Sequence, residues 1–440
     1  MSPKEAPLNP LATEANQAIE KHAPAVMRML SDVGRQLYYP KGILTQSAEA
    51  NQKAHKFNAT MGEARESQHS MALESITRHL AGVDPDDSLP YAPSYGRADL
   101  RTAWLSEMRE KNPSLQDVDV SLPVVTAGIT HGLSTVGDMF VDQGDVVLLP
   151  DQLWGNYRMV FGVKSGARIA TYPLLDLEHG FDVKGLRKTL QEHSDAGKIV
   201  VLFNFPNNPT GYSATPAEAD AIRDAVVEIA DSGCDVVAVF DDAYFGLFYD
   251  AEVLKESVFT RLADAHERVL AIKLDGATKE DYVWGLRVAF ITYGIKSGAG
   301  AYDALEKKSA GCVRGTISNA PNLSQALVLR AMADPEYKTQ KDEKFAILAA
   351  RAAKVRSLLA DARFDGAWKL YPFNSGYFFT VRLEGLDAEE YRVKLLNDYG
   401  VGVISTSKTD IRVALSCVDE DDLGELVEIM LACALEMKKG

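Results

Sequence analysis

The sequence predicts an α/β protein, with a large domain built on a mostly parallel sheet and a smaller α+β domain after it. Three observations predict this. The chain has 440 residues, too many for one ordinary core. Seven apolar runs of strand length recur, at 123–126, 145–149, 167–172, 199–204, 236–240, 269–274 and 286–292. They are rich in Val and Ile and show little polar alternation, as strands buried on both faces do. Helical or loop stretches separate them, as the crossovers of a parallel sheet require.

Ahead of these runs, residues 1–57 read as mostly helical and polar. Val26, Met29, Leu30, Val33 and Leu37 stand at helical spacing over 25–37, with Pro24 at the helix start. Pro40-Lys41-Gly42 breaks the pattern. Helices are expected at 71–80 and 98–108, on either side of a loop at 89–93. Beyond the seven runs, 322–360 reads as one long alanine-rich helical stretch. Strands at 376–381, 401–405 and 411–415 and a last helix over 420–437 form the tail. No internal repeat or low-complexity segment interrupts the order.

Composition narrows the function. Apolar residues make up 46% and charged residues 25%, which suits a globular protein with a sizeable core. A net charge of −15 argues against a nucleic-acid partner, because phosphate backbones need a basic face. Cys234, Cys312, Cys417 and Cys433 lack CxxC spacing, so neither disulfides nor a thiolate metal site is expected and the compartment reads as reducing. The N-terminus lacks a basic-then-apolar signal, and no run of about 18 apolar residues occurs. A cytoplasmic protein without a membrane partner is the expectation.

In a parallel sheet, ligands bind at the carboxyl ends of the strands, so the informative residues follow the apolar runs. Asp241, in Phe240-Asp241-Asp242-Ala243-Tyr244, follows the run 236–240; on its own it also suits a turn or a helix cap. Asn207-Asn208-Pro209-Thr210-Gly211 follows 199–204 and suits a tight turn equally. Lys279, in Ala277-Thr278-Lys279, is expected in a loop between two strands, where most lysines are solvated. Arg287 lies inside the run 286–292, where a buried charge costs several kcal/mol unless it is paired.

Taken in order, Asn-Pro-Thr-Gly, then Asp-x-x-Tyr, then Lys, then Arg eight residues on resembles the aspartate aminotransferase superfamily. These are the fold-type-I pyridoxal-phosphate enzymes, and the likeness is to their class I/II aminotransferases, over about 58–416. The resemblance implies a three-layer α/β/α large domain at 76–325. It also implies a small domain built from both chain ends, 1–75 and 326–440. The cofactor would be pyridoxal 5′-phosphate. Lys279 would form a Schiff base with its aldehyde and shuttle the proton, and Asp241 would pair with the pyridine nitrogen. Tyr244 and Asn208 would bond the phenolic oxygen, and Trp154 would stack on the ring. Gly128, Ile129 and Thr130, where a helix opens after a strand, would receive the phosphate with Arg287 as its cation. Tyr91 would reach the phosphate of a neighbouring subunit, making the functional unit a homodimer with shared sites. The family usually carries Ser or Thr three residues before the lysine. Here that position is Gly276, and Thr278 is the candidate to compensate. Lys273 is rejected as the reactive lysine, since it lies mid-strand and lacks the spacing to Arg287.

On the substrate side, the resemblance assigns Arg412 to the α-carboxylate and Gly62 to a segment that closes over the substrate, with Asn208 and Trp154 adjoining. Arg314, four residues before Ser318-Asn319-Ala320-Pro321, would bind the distal carboxylate of aspartate or glutamate from across the dimer. The expected reaction moves an amino group between an amino acid, with glutamate or aspartate as one partner, and a 2-oxo acid. A C–S β-lyase or a decarboxylase on the same scaffold is the alternative. A ligand-sensing regulator ranks lower, because no spare basic segment is present to bind DNA.

Overall fold

The computed structural model describes residues 8–22, 24–38, 42–177 and 180–439. Its centre is a seven-stranded sheet. The strands are β1 (Val124–Thr126), β2 (Val146–Pro150), β3 (Arg168–Tyr172), β4 (Lys198–Asn204), β5 (Asp235–Asp241), β6 (Val269–Asp275) and β7 (Ala289–Gly294). Their order across the sheet is β1-β7-β6-β5-β4-β2-β3. All run parallel except β7, which is antiparallel to both of its neighbours. Along each central strand the side chains alternate between two apolar cores. Val147, Val200, Val237 and Ile272 enter one, and Leu148, Val201, Ala238 and Ala271 enter the other. Each Val, Leu or Ile side chain so buried contributes roughly 1.5–3 kcal/mol, which is why strands of this sheet are apolar on both faces.

The second sheet is antiparallel. Its strands are β8 (Trp368–Leu370), β9 (Phe378–Leu383), β10 (Ile404–Ser405) and β11 (Asp410–Ala414), in the order β8-β9-β11-β10. A separate core gathers Phe379, Val413 and Met430 with Ala59 from the other end of the chain. Phe57–Asn58 pairs in parallel with Val401–Gly402, so both chain ends build this part of the fold.

Several expected elements are shorter or broken. The 25–37 helix is two, Pro24–Met29 and Asp32–Gln36. The Ser31 hydroxyl accepts from Gly34 N–H and starts the second helix. The break expected at Pro40-Lys41 lies outside the described residues. Only Glu74–Thr77 is helical within 71–80: Leu73 before it is extended, and 78–80 after it form turns. The 322–360 stretch is two helices, Asn322–Met332 and Tyr337–Leu359. Pro335 between them lacks an N–H and disfavours helix at Asp334. The 401–405 run splits because Val401–Gly402 and Ile404–Ser405 pair with different strands. Arg287 precedes its strand instead of lying in it; it has φ +55 and turns the chain into β7. Lys279 stands on a short helix, Ala277–Glu280, instead of in a loop. Among the described residues no helix is long and apolar enough to cross a membrane, and no cluster of His, Cys, Asp or Glu could hold a metal ion.

Candidate active site

A cleft of about 190 Å³ opens at the carboxyl ends of the parallel strands. The reversed β7 explains one of its members. The start of β7 lies at the edge where the others finish, so Arg287 reaches the same cleft as Asp241 at the end of β5. Asn208, Tyr244, Lys279, Trp154, Thr278, Ile129, Thr130, Gly62 and Arg412 also line it. Residues separated by more than 300 positions are thus brought together.

Asp241 is the last residue of β5, one position earlier relative to the strand end than expected, and it is buried. Its carboxylate accepts from the Tyr157 hydroxyl at 2.6 Å and from Ala243 N–H at 3.1 Å. Burial raises its pKa to about 6, while the bond from Tyr157 and the charge of Lys279 oppose the rise. Lys279 is pushed the other way. Burial lowers its pKa to about 8, Asp241 resists, and Arg287 adds to the lowering. Its ammonium lies 5.3 Å from the centre of the Tyr244 ring. The short helix under Lys279 is pinned from outside the cleft. Glu280 pairs with Lys111 and Lys341, while Asp281 meets Lys341 at 2.9 Å and accepts from the Tyr337 hydroxyl at 2.6 Å. Lys273 is absent from the cleft lining. It is fully buried between Asp242 at 2.9 Å and Asp275 at 2.5 Å, and these carboxylates hold its pKa above the ordinary lysine value despite burial.

The anion end of the cleft is built on the turn 126–130. Gly128 caps the helix Ile129–Phe140 with φ +82, and a Cβ there would stand 2.3 Å from Arg287 Nη2. Glycine is therefore required twice over, for the turn and for the guanidinium packed against it. The Thr278 hydroxyl is buried with no hydrogen-bond partner in the protein, so it is free to bond a ligand. Gly276 carries no side chain for a steric reason: a Cβ would lie 2.6 Å from Ala289 Cα and from the Val288 carbonyl.

Arg412, on β11, is the other buried cation. Its guanidinium donates to Asn208 Oδ1 at 3.0 Å and to the Thr60 carbonyl at 2.7 Å and lies over the Phe378 ring. Its Nε has no partner, and burial lowers its pKa to about 10. A buried guanidinium bonded only to neutral oxygens is an incomplete pair that a carboxylate would complete.

A family model described as aminotransferase class I and II matches residues 54–430. The chain belongs to this family. It is a transaminase, and its cofactor is pyridoxal 5′-phosphate. Arginine–pyruvate transaminase AruH of Pseudomonas aeruginosa is 26% identical over 357 residues, covering 79% of this chain and 83% of that one. An aspartate aminotransferase of Sulfurisphaera tokodaii is 22% identical over 414 residues, 91% and 92% of the two chains. Among solved structures, kynurenine aminotransferase of Pyrococcus horikoshii has a similar fold, with a TM-score of 0.78, 19% identity and coverage of 94% and 98%. The cleft of this aminotransferase fits the cofactor on its own geometry. The unpartnered Thr278 hydroxyl, the glycine turn and Arg287 suit the phosphate, the buried Asp241 suits the ring nitrogen, and the partly neutral Lys279 suits the aldehyde.

Three residues expected at the site do not line this cleft, and of these Gly128 stands directly behind Arg287. Tyr91 is 88% exposed, and Arg314 is exposed at the end of the helix Tyr302–Thr316, donating to the Ser318 hydroxyl at 2.8 Å. Four members of the site were missed, one of them Ala243, whose N–H bonds the Asp241 carboxylate. Tyr157 bonds Asp241 from 84 positions away. Asn204 donates to the Asp241 carbonyl at 2.8 Å and accepts from Asn208 N–H at 2.9 Å, tying two site segments together. Ile43 adds an apolar wall from the N-terminal helix Ile43–Lys53. Only Asn204, a polar residue ending an apolar run, left a trace in the sequence.

Proposed function

We propose that this aminotransferase takes glutamate or aspartate as one amino donor and binds every substrate by its α-carboxylate at Arg412. The observation that carries the reading is Arg412 itself, a buried guanidinium that meets no counter-charge among the described residues, in the same cleft as Lys279 and Asp241. When bound, pyridoxal phosphate supplies an aldehyde for the amino nitrogen and a protonated ring that accepts the electrons released at the substrate α-carbon. Lys279 Nζ holds the aldehyde between turnovers and carries the proton off the substrate α-carbon. Asp241 keeps the ring nitrogen protonated, and Tyr157 keeps Asp241 ionised. Asn208 and Tyr244 bond the phenolic oxygen, Trp154 covers the ring face, and Gly62 closes behind the substrate. Gly128, Ile129, Thr130, Thr278 and Arg287 receive the phosphate.

The dicarboxylate reading rests on Arg314 and on the aspartate aminotransferases among the relatives. Among the described residues the cleft of one chain offers no further cation for a distal carboxylate, and Arg314 acts from a second copy. Exposed Leu89, Tyr91, Ile317 and Leu323 surround that region, and a homodimer that buries them delivers both Tyr91 and Arg314 to the opposite site. We place the small domain at 1–75 with 326–440 and the large domain at 76–325. The four free cysteines suit the cytoplasm.

The test is a set of single half-reactions. Cofactor-loaded protein is mixed with glutamate, aspartate, phenylalanine, alanine or arginine, and the loss of the cofactor's visible absorption and the formation of pyridoxamine phosphate are followed. Fastest conversion with glutamate or aspartate is expected. Equal or faster conversion with alanine or arginine overturns the donor assignment.

A further inference from the structure

His131 lies in the first turn of the helix Ile129–Phe140, directly behind the glycine turn. Its Nδ1 accepts the backbone N–H of Ala127 at 3.2 Å. Its Nε2 stands 2.8 Å from the Thr316 hydroxyl oxygen. The Thr316 hydroxyl gives its one proton to the Cys312 carbonyl at 2.8 Å, so toward His131 it can only accept. Both ring nitrogens therefore have fixed roles, Nδ1 bare and Nε2 protonated, and the imidazole is neutral. A proton on Nδ1 would face the Ala127 N–H and break that bond.

We propose that His131 is a positioning residue for the cofactor: as a neutral imidazole it braces the 126–130 turn in its phosphate-receiving shape, and protonation releases the brace. The inference rests on the reading that this turn receives the phosphate. Several ionisable groups surround the ring. Asp138 is on its own helix, and Lys164 ends the neighbouring segment Arg158–Lys164. Lys308, Cys312 and Arg314 lie on the helix Tyr302–Thr316, Arg287 packs against Gly128, and Tyr293 lies on the strand beneath, while Lys273 faces the other side of the sheet between Asp242 and Asp275. Burial, with help from Lys164 and against Asp138, holds the His131 pKa below its ordinary 6.5. The brace is therefore complete at pH 7 and lost only as the pH falls below that value.

The experiment measures cofactor affinity, by fluorescence titration of the apoprotein with pyridoxal phosphate between pH 5 and 8. Wild type is compared with His131→Asn, whose Oδ1 can accept from Ala127 N–H but does not titrate, and with His131→Leu, which cannot accept. At pH 7.5 the Asn variant should bind like wild type, and the Leu variant should bind roughly two- to tenfold more weakly, as loss of one hydrogen bond predicts. Toward pH 5 the wild type should weaken relative to the Asn variant by a similar factor; the phosphate and Asp241 titrate alike in all three proteins and cancel in the ratio. A Leu variant that binds like wild type overturns the proposal. So does an Asn variant whose affinity parallels wild type at every pH, or one as weak as Leu throughout. Arg287→Ala is the control for the underlying reading. If it leaves affinity unchanged, the phosphate assignment fails; if it weakens binding while the His131 variants do not, the brace alone fails.

Discussion

Burial moves Lys279 and Asp241 toward their neutral forms together, one from above and one from below, and each is the other's partial counter-charge. Only the neutral amine attacks an aldehyde, so capture of pyridoxal phosphate by the apoprotein should speed up as the pH rises through about 8. Lys279→Ala should abolish covalent capture and nearly all turnover. Borohydride reduction of the loaded wild type should label Lys279; a label on Lys273, held charged by its two carboxylates, contradicts the assignment. Tyr157→Phe removes the hydroxyl that donates to Asp241 and lets its pKa rise above about 6. The acid limb of the rate–pH profile should then move to higher pH, and an unmoved limb removes Tyr157 from the mechanism. Lys279, Asp241, Asn208 and Arg287 were legible because their residue types recur in a fixed order along the chain. Tyr157 was not, since its meaning lies in a contact across 84 positions that no local pattern displays.

At the scale of elements, close approach of backbones explains what the sequence left odd. β7 passes so near Gly276 that even a methyl group has no room. Gly276→Ser, which restores the family's usual hydroxyl, should therefore cost about 1–3 kcal/mol through overpacking. It should lower the melting temperature without tightening cofactor binding. Tighter binding at unchanged stability would show that the strand yields. The seven strands were readable because burial on both faces removes polar alternation, a signal that survives without knowledge of neighbours. Their ends were less so. The 286–288 part of the last run looks apolar, yet Arg287 turns the chain there with φ +55. The strand Trp368–Leu370 escaped notice because three residues on a sheet edge carry almost no periodicity.

For the whole molecule, the proposed dimer makes each cleft a joint product of two chains, and this separates the two substrate arginines. A charge-assisted pair contributes roughly 1.5–3 kcal/mol, or about one to two powers of ten in rate. Arg314→Ala should lower kcat/KM for glutamate and aspartate by about that factor and spare phenylalanine and alanine. Arg412→Ala should weaken all four. Chains carrying Lys279→Ala, refolded together with chains carrying Arg314→Ala, should recover more dicarboxylate turnover than either variant alone, because one hybrid site draws Lys279 and Arg314 from different chains. Equal loss for all four amino acids in Arg314→Ala, with no recovery on mixing, makes the residue structural. No local pattern along one chain can display a site completed by another, which is why Arg314 and Tyr91 were placed by resemblance and not by their surroundings.

The unmatched charge of Arg412 also bears on how the enzyme behaves in a test tube. A guanidinium satisfied only by the neutral oxygens of Asn208 and Thr60 does not discriminate among small carboxylates before the rest of the substrate is read. Acetate or formate in a buffer should thus compete with every amino acid alike, raising the apparent KM in proportion to concentration and leaving kcat untouched. The inhibition should vanish in Arg412→Ala. If acetate lowers kcat instead, or inhibits the variant equally, it binds elsewhere, and Arg412 is closed to ions that lack an amino group.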